Sequence, residues 1–254
     1  MSPFAPPSFS GWEWTLLGLG AFAVGLAKTG VPGLSMLFVA VFANVLPARE
    51  STGVVLPLLI LGDVFAAASY RRNLVWSHLW RLFPWAVAGI IAGWFALGQL
   101  SDAWTARAIG LILLAMLIFH FARQRPATAT PPEAPRASPT LAVTTGLLAG
   151  FATLVANAAG PVMTVYLLAM RLPKLEFLGT GAVFFLLINW FKVPFMVNLG
   201  LINSSSLTLN LWLAPAVIAG ALVGRVVAQR LAQRTFEHLA LALAGLAALR
   251  LLTH

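Results

Sequence analysis

Chemically active side chains stand at an interruption between the first two apolar runs of this sequence. The interruption is KTGVPG at 28–33, where Pro and Gly both weaken a helix. A helix that begins after such a break has unpaired N–H groups and the positive end of its dipole, and together these bind anions. Lys28 adds a positive charge and Thr29 a hydroxyl donor. We therefore expect an anion to be bound by the residues of this break, namely Lys28, Thr29, Gly30 and Gly33.

A second break of the same kind interrupts the apolar sequence at NAAGP, residues 157–161. Asn157 supplies an amide, and Gly160 allows the backbone to approach a ligand closely. If the two breaks meet, two helix N-termini contribute to one site. We therefore add Asn157 and Gly160 to the expected anion-binding residues.

A third group of polar side chains lies within long apolar runs. Asn189 precedes Lys192 by three residues and so shares a helix face with it. Asp63 is the one carboxylate well inside an apolar run. It could pair with Lys28 or Lys192 or carry a proton, and we favour pairing. Asn189 and Lys192 join the expected binding residues, because two buried lysines against one carboxylate favour an anionic ligand.

The elements that position these residues follow from the composition. Of 254 residues, 60% are apolar and only 9% are charged, whereas soluble domains have roughly 25% charged residues. The long apolar runs predict an all-α polytopic membrane protein and exclude a soluble enzyme, a disordered chain and a disulfide scaffold. There is no Cys, and the four His have no metal-ligand spacing, so we expect neither a metal nor a cofactor. We assign the net charge of +9 to cytoplasmic loops rather than to nucleic-acid binding.

The membrane also supplies simpler explanations for the polar residues. The two breaks could be ordinary tight turns between helices, with Lys28 reaching toward a membrane interface. Lys192 could likewise lie near the outer end of its apolar run. We favour the binding site, because a charged residue at depth in a membrane is costly and usually functional.

The apolar runs indicate an internal duplication. Five runs precede a polar linker, RQRPATATPPEAPRASP, and five follow it. Asp63 falls on Asn189 at an offset of about 126, and Gly89 falls on Gly220 at an offset of about 131. We therefore divide the chain into a first repeat, 1–122, a linker, 123–139, and a second repeat, 140–254. The ten runs are 12–27, 33–46, 52–69, 82–99, 103–122, 141–156, 160–170, 177–198, 207–227 and 236–253.

The distribution of basic residues predicts how the halves are oriented. If each long run crosses once, most Lys and Arg residues fall on the side of the 123–139 linker, which is then cytoplasmic. An odd number of runs in each half makes the second repeat inverted relative to the first. The first two runs of each half are short, and we expect each pair to form a broken or re-entrant helix. Inverted repeats are typical of transporters that bind substrate near the midplane.

Several stretches together resemble the TauE/SafE family of sulfite exporters. They are GLAKTGVPG at 25–33, LPARESTGVVLPLLILGD at 46–63 with YRR at 70–72, ANAAGPVMTVYLLA at 156–169 and KLEFLGTGAVFFLLINWFKVP at 174–194. One departure is Ser35, where Gly is frequent in this motif. The resemblance implies a multi-pass permease, not an enzyme, that carries anions such as sulfite, sulfonates, sulfoacetate or thiosulfate.

The resemblance also implies a bacterial inner-membrane location, with the lipid bilayer and a small anionic substrate as partners. It leaves formation of a homo-oligomer open. Two other functions stay open as well. An anion channel would use the same positive lining without coupling, and a non-transporting membrane subunit would use the breaks only for packing.

Overall fold

A computed structural model describes residues 9–31, 34–96, 118, 138–232, 234–236, 238–239, 242 and 246. Within this part of the chain, every regular element is helical, and five helices are long and apolar enough to cross a membrane. The prediction of an all-α polytopic membrane protein is confirmed. Gly33, most of the runs 103–122 and 236–253 and most of the 123–139 linker lie outside the described residues.

The described helices of the first half begin and end close to the predicted runs. Helix α1 starts after Ser10, whose hydroxyl accepts from the backbone N–H of Glu13 in a capping box. The helix continues through Thr29 and ends at Gly30. The bounds are α1 (Gly11–Thr29), α2 (Ser35–Val45), α3 (Ala48–Tyr70), a 3-10 turn (Arg71–Asn73) and α4 (Trp76–Ala96).

The second half repeats the order of a long helix, a short helix and two long helices. Helix α5 ends at Asn157, which adopts the left-handed conformation with φ 50°. Asn tolerates this conformation better than other residues with a side chain, so it can end a helix in a sharp turn. The bounds are α5 (Pro139–Ala156), α6 (Ala159–Ala169), α7 (Lys174–Asn198) and α8 (Ser204–Arg230).

Glycines allow helices of different halves to pack at close range. Helix α1 packs along α8, and α4 packs along α5. A Cβ atom on Gly220 of α8 would overlap the carbonyl oxygen of Phe22, and one on Gly89 of α4 would overlap that of Leu147. Small residues at such contacts let the backbones approach, which is how helices associate without a hydrophobic driving force in lipid.

The two glycine contacts correspond to each other under the predicted duplication. It aligns Gly89 with Gly220, and their neighbours Leu147 and Phe22 occupy corresponding places in α5 and α1. Each half therefore contributes the same kind of helix face to the other half. This supports the duplication, while the inverted orientation and the boundaries of the two repeats stay predictions.

The short helices α2 and α6 lie against the long ones. Nearly every residue of α6 is buried, from Ala159 through Leu168. Helix α2 buries Phe38 and Phe42 against α1 and α3. Since non-helical backbone persists at membrane depth only where protein or a cavity surrounds it, this enclosure explains how the chain breaks before α6.

Candidate functional site

A cavity of ≈ 70 Å³ lies where the two chain breaks approach each other. One water molecule needs roughly 10–15 Å³ of such space, so several small groups fit. Its polar residues are Lys28, Ser35, Asp63 and Thr164, together with the backbone of Gly160. The remaining wall is apolar and is formed by Ala27, Phe38, Met163, Leu167, Phe177, Leu178, Gly181, Ala182 and Phe185.

The N-termini of both short helices border this cavity. Ser35 is the first residue of α2, and Gly160 is the second residue of α6. They are so close that a Cβ atom on Gly160 would lie 2.5 Å from the Ser35 hydroxyl oxygen. The first turn of a helix has N–H groups without intrahelical partners, and the positive end of the helix dipole lies there. Two such ends at one cavity provide partial positive charge from two directions.

An ion pair forms part of the cavity wall. Lys28 Nζ lies 2.7 Å from Asp63 Oδ1, and the side chains are 12% and 0% exposed. The Lys28 ammonium group also lies 4.4 Å from the centroid of the Phe185 ring, a cation–π contact that stabilises a partly desolvated cation. Both side chains line the cavity, and the lysine is the more exposed member of the pair.

The second lysine of the site, Lys192, is not among the cavity residues. Lys192 is 0% exposed, and its ammonium group donates to three neutral oxygens. The acceptors are Asn157 Oδ1 at 2.7 Å, Thr153 Oγ1 at 3.0 Å and Asn189 Oδ1 at 3.2 Å. Three acceptors match the three donors of a protonated lysine. Lys192 thereby connects α7 to the end of α5, where the second break begins.

Asn189 links the Lys28–Asp63 ion pair to the hydrogen bonds of Lys192. Its Nδ2 donates to Asp63 Oδ2 at 2.6 Å, while its Oδ1 accepts from Lys192. The amide orientation follows from its neighbours, because a carboxylate accepts and an ammonium group donates. The resulting network runs from Lys28 through Asp63 and Asn189 to Lys192 and Asn157. Asn157 Nδ2 in turn donates to the Thr52 carbonyl of α3 at 3.0 Å.

The charges of this network do not balance when its three ionisable groups are charged. Among the described residues it contains two ammonium groups, Lys28 and Lys192, and one carboxylate, Asp63. Buried charges are costly unless they are paired. The excess positive charge therefore favours an anion in the adjoining cavity.

Thr29 and Gly30 serve helix packing in this structure. The Thr29 hydroxyl donates to the Ala221 carbonyl at 2.7 Å and to the Gly25 carbonyl at 3.0 Å. Gly30 approaches the backbone of Gly224 so closely that a Cβ atom would overlap it. Both residues therefore fasten the end of α1 to α8, whereas Lys28 lines the cavity. Of the first break's expected residues, Gly33 lies outside the described chain.

Three polar residues near the site were not expected from the sequence. Thr153 accepts from Lys192, and Ser35 and Thr164 line the cavity. The position of Thr153 contains a usable signal, since it lies four residues before Asn157 on the same helix face. No comparable signal marks Ser35 or Thr164, because small hydroxyl residues are common in membrane helices. Within the described residues, no group of three or more His, Cys, Asp or Glu could hold a metal ion.

Comparison with known proteins assigns the chain to a family. No curated protein and no solved structure matches the sequence significantly. A family model described as "Sulfite exporter TauE/SafE" matches residues 17–251, which include every residue of the network and cavity. The chain belongs to the TauE/SafE sulfite exporter family of multi-pass membrane transporters for sulfur-containing anions.

Proposed function

We propose that this protein transports a small sulfur oxyanion, such as sulfite or a short sulfonate like sulfoacetate, through the cavity between the two breaks. The observation that carries this proposal is the placement of Lys28 and both short-helix N-termini around one cavity. A sulfur-bound oxygen with negative charge matches an ammonium group and helix N–H donors. The rest of the wall is apolar, so it offers no further polar contacts to the part of the anion away from its sulfur oxygens.

Each polar residue of the cavity has a distinct part in this proposal. Lys28 contacts the anion directly and shares its ammonium group between the anion and Asp63. The Ser35 hydroxyl oxygen is buried and has no hydrogen-bond partner in the structure, so its proton is available to an oxyanion. Thr164, which is 2% exposed, offers a second hydroxyl group on α6.

The residues behind the cavity hold the anion contacts in place. Lys192 donates a hydrogen bond to Asn157 at the second break, and Asn189 donates one to Asp63. These bonds fix the positions of both side chains. Lys192 adds positive potential to the cavity without lining it. Asn157, Asn189 and Lys192 therefore act on the anion through position and charge rather than through contact.

The duplication suggests how the cavity opens to either side. We propose that repeats 1–122 and 140–254 are inverted, with the 123–139 linker in the cytoplasm of a bacterial cell. The cavity lies between elements of both repeats, and rocking of one repeat against the other would change its access. The network crosses the same boundary through Asp63 of α3 and Asn189 of α7.

Flux into liposomes tests the proposed function. The purified protein should transport sulfite and sulfonates and should exclude a cation of similar size. The double variant Lys28→Met/Asp63→Asn removes the ammonium contact while leaving the network's net charge unchanged, and its flux should fall at least tenfold. Lys174→Met is the matched control, because Lys174 begins α7 and is not among the cavity residues.

The same preparation separates a carrier from its alternatives. Accumulation of the anion against its gradient, driven by an imposed ion gradient, supports a carrier. Flux that only follows the electrochemical gradient of the anion would support an anion channel. Absence of any anion flux from correctly folded protein would contradict the proposed function.

A further inference from the structure

The cavity wall contains a negative group as well as a positive one. Asp63 lines the same cavity as Lys28, and its carboxylate lies 2.7 Å from the lysine ammonium. An anion that binds Lys28 from the cavity therefore comes close to the Asp63 carboxylate. The carboxylate repels this anion in proportion to the anion's charge.

The charges that surround Asp63 limit how much negative charge the site can accept. Lys28 on α1 and Lys192 on α7 are the described cations in its network. Helix α2 contains no charged residue. Arg225 and Arg230 on α8 are exposed, as are both arginines of the 3-10 turn. With its three groups ionised, the network has one excess positive charge, which one negative charge on a ligand neutralises.

We propose that the site binds monovalent sulfur oxyanions with Asp63 ionised and divalent ones only together with a proton on Asp63. This inference rests on the proposed transport function. Protonation converts the carboxylate to a neutral carboxylic acid. Two positive charges then balance the two negative charges of the ligand, one on Lys28 at the cavity and one on Lys192, which is buried outside its lining. The proton comes from water on the side of anion uptake and returns to water on the side of release. No covalent bond to the anion forms or breaks.

The proposal gives a charge and proton count for each anion. A monovalent anion moves alone and transfers one negative charge. A divalent anion moves with one proton and also transfers one negative charge. The two classes of anion should therefore respond equally to membrane voltage and differently to a pH gradient.

Liposomes that contain the wild-type protein and an internal pH dye provide the test. Methanesulfonate is the monovalent probe, and thiosulfate is the divalent probe, because neither changes charge near neutral pH. Thiosulfate uptake should acidify the interior by one proton per anion and should rise as the external pH falls. Methanesulfonate uptake should move no proton and should vary little over the same pH range.

The variant Asp63→Asn isolates the carboxylate. It should transport thiosulfate without protons and without the wild-type dependence on pH, and its preference for methanesulfonate over thiosulfate at alkaline pH should fall at least tenfold. Glu50→Gln is the control, because it removes an exposed carboxylate at the start of the same helix. If Asp63→Asn does not fold, the proton count of the wild-type protein decides the question.

The outcomes separate this inference from the function on which it rests. Transport of both anions with the same number of protons, including none, would overturn the role of Asp63 and leave the transporter intact. Transport of neither anion by folded protein would remove the proposed function and this inference together. A proton that accompanies thiosulfate alone supports both.

Discussion

Removing Lys28 and removing Asp63 from their ion pair should lower the free energy of unfolding by different amounts. Lys28→Met leaves the Asp63 carboxylate, which is 0% exposed, with Asn189 as its remaining partner in the network. Asp63→Asn leaves the Lys28 ammonium, which is 12% exposed at the cavity and also lies over the Phe185 ring. The lysine retains some exposed surface in this structure, whereas the carboxylate has none.

The size of the difference follows from the burial of each partner. An uncompensated buried charge left by removal of its partner costs about 3–5 kcal/mol, which we expect for Lys28→Met. A partly solvated cation with a cation–π contact should cost less, about 1–2 kcal/mol for Asp63→Asn. The double variant Lys28→Met/Asp63→Asn leaves no unpaired charge at this position. It should recover about 2 kcal/mol or more relative to Lys28→Met alone.

Unfolding of the four proteins in detergent forms a double-mutant cycle that measures these free energies. Wild type should be most stable and Lys28→Met least stable, with the double variant between them. Glu50→Gln again controls for loss of a carboxylate on α3, and it should change the unfolding free energy by less than 0.5 kcal/mol. Additive effects of the two single substitutions would show that the ion pair does not couple the residues, and a larger loss from Asp63→Asn would refute the burial argument.

Three further predictions address packing, topology and the second lysine. Gly150→Ala should strongly reduce the yield of folded protein, because its Cβ atom would overlap a backbone carbonyl of α4. Gly18→Ala is the control and should be tolerated, because there is open space around Gly18. Equal yields of the two variants in size-exclusion chromatography would contradict this. Single Cys residues introduced at Ser138 and Ser204 should be labelled by an impermeant reagent from opposite membrane sides, and labelling of both from one side would reject the inverted repeat. Lys192→Met should weaken sulfonate binding by about 2 kcal/mol, because unit charges on the order of 10 Å apart interact this strongly at an effective dielectric constant near 20. Calorimetry showing unchanged affinity would exclude Lys192 from the site's electrostatics.

The sequence predicts the helical class because continuous apolar runs dictate it, and it predicts both breaks because Gly, Pro and Asn act locally. It places the end of the first helix too early. Lys28 and Thr29 were expected in the break, yet both belong to the last turn of α1. The reason is tertiary, because the Thr29 hydroxyl bonds to the Gly25 carbonyl within α1 and to Ala221 on α8.

The partners of the site residues depend on contacts that no local pattern encodes. The sequence identifies Lys192 as a buried cation, but its acceptor Thr153 lies on another helix, 39 positions away. Ser35 is recognisable only as a small residue after the first break. The cavity makes it important, because its hydroxyl faces Gly160 from the opposite half of the chain.

The predicted duplication places a carboxylate and an amide at corresponding positions, 63 and 189. The structure brings these two side chains together at 2.6 Å between Asn189 Nδ2 and Asp63 Oδ2. Two aspartates at this distance could not both ionise, since one would retain a proton. With Asn at position 189, Asp63 can stay ionised and pair with Lys28, while the amide oxygen remains free to accept from Lys192. The amide thus lets Asp63 pair with Lys28 without a second titrating carboxylate beside it, and the network of Lys28, Lys192 and Asp63 keeps one positive charge for the anion to neutralise.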